Sequence, residues 1–95
     1  MWYILGMRID YTLLTFKEGE TFVSFCPELS VSSCGDTVDQ ARTRGKEAVR
    51  LFLEESQRMG TLQDILQEDG FVKTARGNEW SSPPLIVTEH SEVAL

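Results

Sequence analysis

The sequence predicts an α+β fold, a two-layer sandwich with the element order β-β-β-α-(α)-β. Three observations carry that expectation. Residues 7–16 alternate between two rows of side chains, break at Lys17-Glu18-Gly19-Glu20 and return through a second β-rich run. Between Gly35 and Gly60 lies one long stretch with apolar residues at spacings of three and four. After a segment rich in Gly, Ser and Pro comes the apolar run Leu85-Ile86-Val87.

In the first strand, Met7, Ile9, Tyr11 and Leu13 form one row, and Arg8, Asp10, Thr12, Leu14 and Phe16 the other. The second row turns apolar near its end, so that end is expected to be covered on both faces. Gly19 can supply the positive φ of a hairpin turn. The returning strand spans 21–26 with Phe22, Val23 and Phe25 as its bulk, and Pro27, which has no amide proton, ends its pairing. A short third strand, 31–34, leads through Gly35 into the helix.

Thr37 and Gln40 fit a capping box, and Asp36 and Asp39 place negative charge at the positive end of that helix. Its buried face is read as Val38, Ala41, Gly45, Ala48, Val49, Phe52 and Leu53. The face starts small, which lets the helix approach a sheet closely. Gly60 ends it in a left-handed conformation. Thr61, with Asp64 three residues on, marks the cap of a second, short helix through Leu62, Ile65 and Leu66. Residues 71–84 read as a loop and 85–89 as the final strand. Paired with the first strand, that last strand would run parallel by a right-handed crossover. The whole chain, 1–95, is one domain with its core at about 7–70.

Composition narrows the function classes. Ninety-five residues, 41% of them hydrophobic and 25% charged, suit one ordinary globular core. A net charge of −6 argues against non-specific nucleic-acid binding and favours a basic partner. Two cysteines are too few for a disulfide framework and fit a reducing compartment. Residues 1–7 are apolar but lack the basic start and cleavage site of a signal peptide, and no apolar run approaches the roughly 20 residues that span a bilayer. A soluble, cytoplasmic protein without a membrane partner is expected.

Several chemistries can be weighed residue by residue. A two-metal nuclease needs clustered carboxylates. Asp10 in the first strand, Glu47 in the helix and Glu89 near the end of the last strand are the available positions, and Asp10 and Glu47 read as solvated surface groups. Cys26 and Cys34 flank the loop between the second and third strands and read as small packing residues. His90, the sole histidine, cannot make a metal site or a triad by itself. Arg42, Arg44, Lys46 and Arg50 interleave with Asp39, Glu47 and Glu54, the pattern of a solvated helix face with local ion pairs. No catalytic, cofactor-binding or metal-binding residue is therefore assigned, and no enzymatic activity is expected. Glu54, Glu55, Asp64, Glu68 and Asp69 gather around the end of the long helix and the short helix, where a basic protein could dock.

The strand end Phe25-Cys26-Pro27-Glu28-Leu29, followed by Val31-Ser32-Ser33, Gly35-Asp36-Thr37 and a helix with Ala41, Glu47-Ala48 and Leu51 to Leu53, resembles the HicB-like antitoxin family over about residues 8–70. The resemblance implies a partial RNase H-like fold and a type II toxin–antitoxin function. In that function the chain would cover a small basic HicA-like ribonuclease toxin, acting by occlusion and not by catalysis. The family's common Pro-Glu-Leu-Pro-Gly loop is here Pro27-Glu28-Leu29-Ser30-Val31. After Gly70 there is no helical pair and only Lys73 and Arg76 are basic, so the chain resembles a stand-alone domain without an operator-binding segment. Two other functions fit the residues: a metal-dependent nuclease with an RNase H-like site, and a self-associating domain without a toxin. A homodimer or higher homo-oligomer is expected. The open sheet leaves unpaired backbone groups, and Met1-Trp2-Tyr3-Ile4-Leu5 is either a strand extension or an arm seeking a partner surface.

Overall fold

The computed structural model describes residues 7–74 and 79–95. The apolar run 1–5 and the residues 75–78, Arg76 among them, lie outside the described residues. The chain folds as α+β in the order β1 (Arg8–Ile9), β2 (Leu14–Glu18), β3 (Thr21–Cys26), β4 (Val31–Gly35), α1 (Val38–Met59), α2 (Leu62–Glu68), β5 (Val72–Lys73) and β6 (Glu79–Ser81). The strands form two three-stranded sheets, β2-β3-β4 and β1-β6-β5.

The expected meander is present: β3 pairs antiparallel with both β2 and β4, with Phe16 opposite Val23 and Val23 opposite Cys34. The single strand expected over 7–16 is divided between the two sheets. β1 pairs parallel with β6, and Asp10 N still donates to Trp80 O. The amide of Thr12 then turns to the Glu28 carboxylate, at 3.1 and 3.0 Å to its two oxygens, before β2 begins. Throughout, Met7, Ile9, Tyr11 and Leu13 remain half-buried, while Arg8, Asp10, Thr12 and Leu14 are exposed. Side-chain alternation reports an extended backbone and does not reveal where it changes hydrogen-bonding partner.

The final strand is a correction. Residues 85–89 pair with nothing among the described residues, and Leu85, Ile86 and Val87 are exposed. The strand that joins β1 in parallel is β6, inside the stretch expected to be a loop. Trp80 decides this: it is buried, packs in the core and carries the Lys73 ammonium over its ring at 5.6 Å. The apolar end of β2 is a second correction. Leu14 and Phe16 are 48% and 45% exposed, so that face is open and not covered on both sides.

Helix α1 begins as its capping box requires. Thr37 Oγ1 accepts from Gln40 N at 3.0 Å, and Gln40 Oε1 accepts from Asp36 N at 2.8 Å. At its other end Gly60 takes φ 78°, a conformation that a Cβ disfavours, and its amide donates to Gln57 O. Thr61 is the N-cap residue of α2, as expected, and its carbonyl accepts from Ile65 N at 3.0 Å. Its side chain makes no capping bond: its amide and hydroxyl both donate back to Ser56 O, at 3.0 and 3.4 Å, and so tie α2 to the end of α1. On α1 the fully buried positions are Ala41, Gly45, Val49 and Ser56; Val38 is exposed and Phe52 and Leu53 are half-buried. One apolar cluster draws on both helices and both sheets: Cys26, Leu29, Val49, Leu62, Leu66, Phe71 and Trp80, flanked by Met7, Ile9, Tyr11, Phe52 and others.

Candidate functional site

The acidic candidates occupy two helices. Glu54 is held by Arg50, with Nε to Oε2 at 3.1 Å, and Glu55 forms an ion pair with Arg58. Such pairs on exposed helix turns contribute only tenths of a kcal/mol, but they neutralise the charge a partner would see. Asp64 and Glu68 stand one helical turn apart on the outer side of α2, and Asp69 follows at its end. All three are exposed, and no ion pair among the described residues engages them. Of the five candidates, those outside these ion pairs are Asp64 and Glu68 of α2 and Asp69 at its C-cap, because the helix that carries Glu54 and Glu55 also carries their arginines.

Next to these groups is a groove of about 240 Å³ that sequence reasoning did not assign. One wall is the inward row Met7, Ile9 and Tyr11; the other is Lys46, Val49, Arg50, Leu53, Glu54 and Gln57 of α1, with Leu62 closing the end at α2. Its floor is apolar and its rim charged. Of the five acidic candidates only Glu54 lines it. The row Met7, Ile9 and Tyr11 and the α1 positions Val49 and Leu53 were legible as apolar, but their facing each other across a groove was not. Burial pushes the Tyr11 hydroxyl above its ordinary value, and the nearby Cys26 thiol adds to this.

The Pro27-Glu28-Leu29 turn is organised around Glu28. Its carboxylate accepts from Thr12 N and from the Cys26 thiol at 3.4 Å, and Leu29 is buried in the core. Glu28 thus ties the β3–β4 turn to the chain between β1 and β2. Burial first, then the Glu28 carboxylate, push the Cys26 thiol up to about 11 against the lowering effect of backbone amides. Ser30, next in the turn, has φ 57°.

Cys26 and Cys34 do not play one role. Cys26 points inward and is fully buried, whereas Cys34 is exposed on the opposite face of the sheet. The expectation that both pack in the core therefore fails for Cys34: it sits opposite Val23, one residue out of phase with Val31, the partner of Cys26. Asp10 accepts from Ser82 N, a contact that pins the chain after β6 to β1. Glu47 is exposed on α1, and Glu89 and His90 are exposed in the C-terminal segment. Among the described residues no three His, Cys, Asp or Glu side chains cluster as a metal site would require. The basic residues of α1 are dispersed: Arg42 meets Asp39, Arg44 donates to Cys34 O and Arg50 meets Glu54.

No helix among the described residues is long and apolar enough to cross a membrane. Compared with protein-family models, characterised proteins and solved structures, the chain finds no match.

Proposed function

We propose that this chain is an antitoxin-type binding module, resembling the HicB-like family, that neutralises a small basic ribonuclease toxin by covering it. The observation that carries the reading is the Pro27-Glu28-Leu29 turn. Pro27-Glu28-Leu29, one of the stretches that carry the resemblance, also ties β3 to the β1–β2 segment and the core, through Glu28 and Leu29. Support comes from the antiparallel meander followed by a long helix across it, an arrangement compatible with a partial RNase H-like fold. The net charge of −6 and the free carboxylates of Asp64, Glu68 and Asp69 suit a basic partner, chiefly by steering its approach. The action is binding without catalysis.

The test takes the genes flanking this chain's own and expresses any small basic protein that they encode. Its RNA cleavage is measured with and without the purified chain, and with the variant Asp64→Lys/Glu68→Lys/Asp69→Lys. Stoichiometric inhibition that weakens at least tenfold in the variant supports the reading. Undiminished cleavage at saturating chain overturns it. So does RNA cleavage by the chain alone in Mg²⁺ that disappears on Asp10→Asn.

A further inference from the structure

The β2-β3-β4 sheet has two faces of different character. Ser24, Cys26 and Gly35 face α1 and are buried. The other face carries Leu14, Phe16, Val23 and Phe25, which the register places side by side in cross-strand pairs, Leu14 with Phe25 and Phe16 with Val23. Four large apolar side chains thus share one open face, and Leu14 and Phe16 are about half exposed. β2 is also an edge strand: among the described residues its outer backbone groups have no strand partner. An apolar edge of this kind accepts another strand readily.

The chain itself carries a matching strand. After Pro83, which lies against Gly70, the segment 84–95 leaves the body. Leu85, Ile86, Val87, Val93 and Leu95 are all at least 64% exposed. From 85 onward there is no Pro, so every amide is able to join a ladder. Ile86, Val87 and Thr88 favour strand conformation. At about 3.3 Å per residue the segment spans roughly 40 Å when extended, more than enough to run along β2. Every residue of 84–95 is exposed, so the segment is not packed on its own chain.

We infer that segment 84–95 of one copy adds as a strand to the free edge of β2 in a second copy, its alternate side chains extending the Leu14–Phe16–Val23–Phe25 face, and that two copies do this reciprocally. Each copy then supplies what the other lacks: an apolar strand without a sheet, and an apolar sheet edge without a strand. Reciprocal exchange closes the assembly at two and leaves neither β2 edge open. The inference is independent of any toxin partner.

Sedimentation equilibrium of the full chain at tens of micromolar should give a dimer. Ile86→Asp and Phe16→Asp, both at exposed positions, should each raise the dimer dissociation constant at least tenfold, while Leu51→Asp, exposed on α1, should not. In an equal mixture of ¹⁵N-labelled and unlabelled chain, p-benzoylphenylalanine placed at position 16 should capture peptides from 84–95 of the other isotope. A monomeric full chain overturns the inference. A dimer indifferent to Ile86→Asp does so too, placing the contact elsewhere, and so does capture confined to peptides of the same chain.

Discussion

Ser24 occupies the space that a side chain at Gly45 would need. A Cβ on Gly45 would stand 2.8 Å from Ser24 Cβ and 3.2 Å from Leu13 Cδ1, closer than packed carbons come. Ser24 is fully buried, and its hydroxyl donates to Ala41 O at 2.7 Å, the carbonyl that also accepts the Gly45 amide within the helix. The pair sets the distance between α1 and the sheet. Gly45→Ala should therefore destabilise the fold by about 1–3 kcal/mol through overpacking, even though alanine is the better helix former by about 1 kcal/mol. Urea titration reads the difference; a stabilised variant would mean that helix and sheet separate freely.

Glu28 holds two segments distant in sequence. Glu28→Ala leaves the Thr12 amide without its carboxylate and should cost about 1.5–3 kcal/mol, the range for a hydrogen bond to a charged group. Glu28→Gln keeps an acceptor and should recover part of the loss. If the two variants unfold at the same denaturant concentration, an uncharged acceptor contributes nothing; if Glu28→Gln unfolds with the wild type, the carboxylate charge contributes nothing.

Ser30 adopts φ 57°, a left-handed conformation that costs an L-residue roughly 1–2 kcal/mol. Glycine avoids that cost but adds freedom to the unfolded chain. Ser30→Gly should therefore stabilise by about 0.5–1 kcal/mol, visible as a rise in Tm, and Ser30→Val should destabilise.

The two thiols should separate in reactivity. Cys34, exposed, should react with a disulfide reagent within the mixing phase, and buried Cys26 only as fast as the fold opens. Because the folded state raises the Cys26 thiol from 9.0 to about 11, it holds that proton more tightly than the unfolded chain. The corresponding stability is fully present below pH 9 and is lost as pH rises through about 11. Tyr11 is raised as well and acts in the same direction above pH 10. Tm followed from pH 8 to 11 should fall, and less steeply in Cys26→Ala; identical slopes would exclude Cys26 as a cause.

Sequence alone determined the local features of this protein. The capping pair Thr37 and Gln40, the end of α1 at Gly60, the hairpin of β2 and β3, and the inward row Met7, Ile9, Tyr11 and Leu13 all follow from periodicity and backbone preference, which act over a few neighbouring residues. The five acidic candidates were legible as a group, but not that Arg50 and Arg58 would occupy two of them. Tertiary structure decided which extended segments pair. The stretch 85–89 has the stronger strand composition, yet Glu79-Trp80-Ser81 joins β1, because Trp80 buries a large ring in a core assembled from α1, α2 and both sheets. Thr12 satisfies its amide on Glu28, 16 residues away, and so moves the chain from one sheet to the other. Those choices depend on burial and hydrogen-bond satisfaction between segments distant in sequence, and a one-dimensional pattern carries neither quantity.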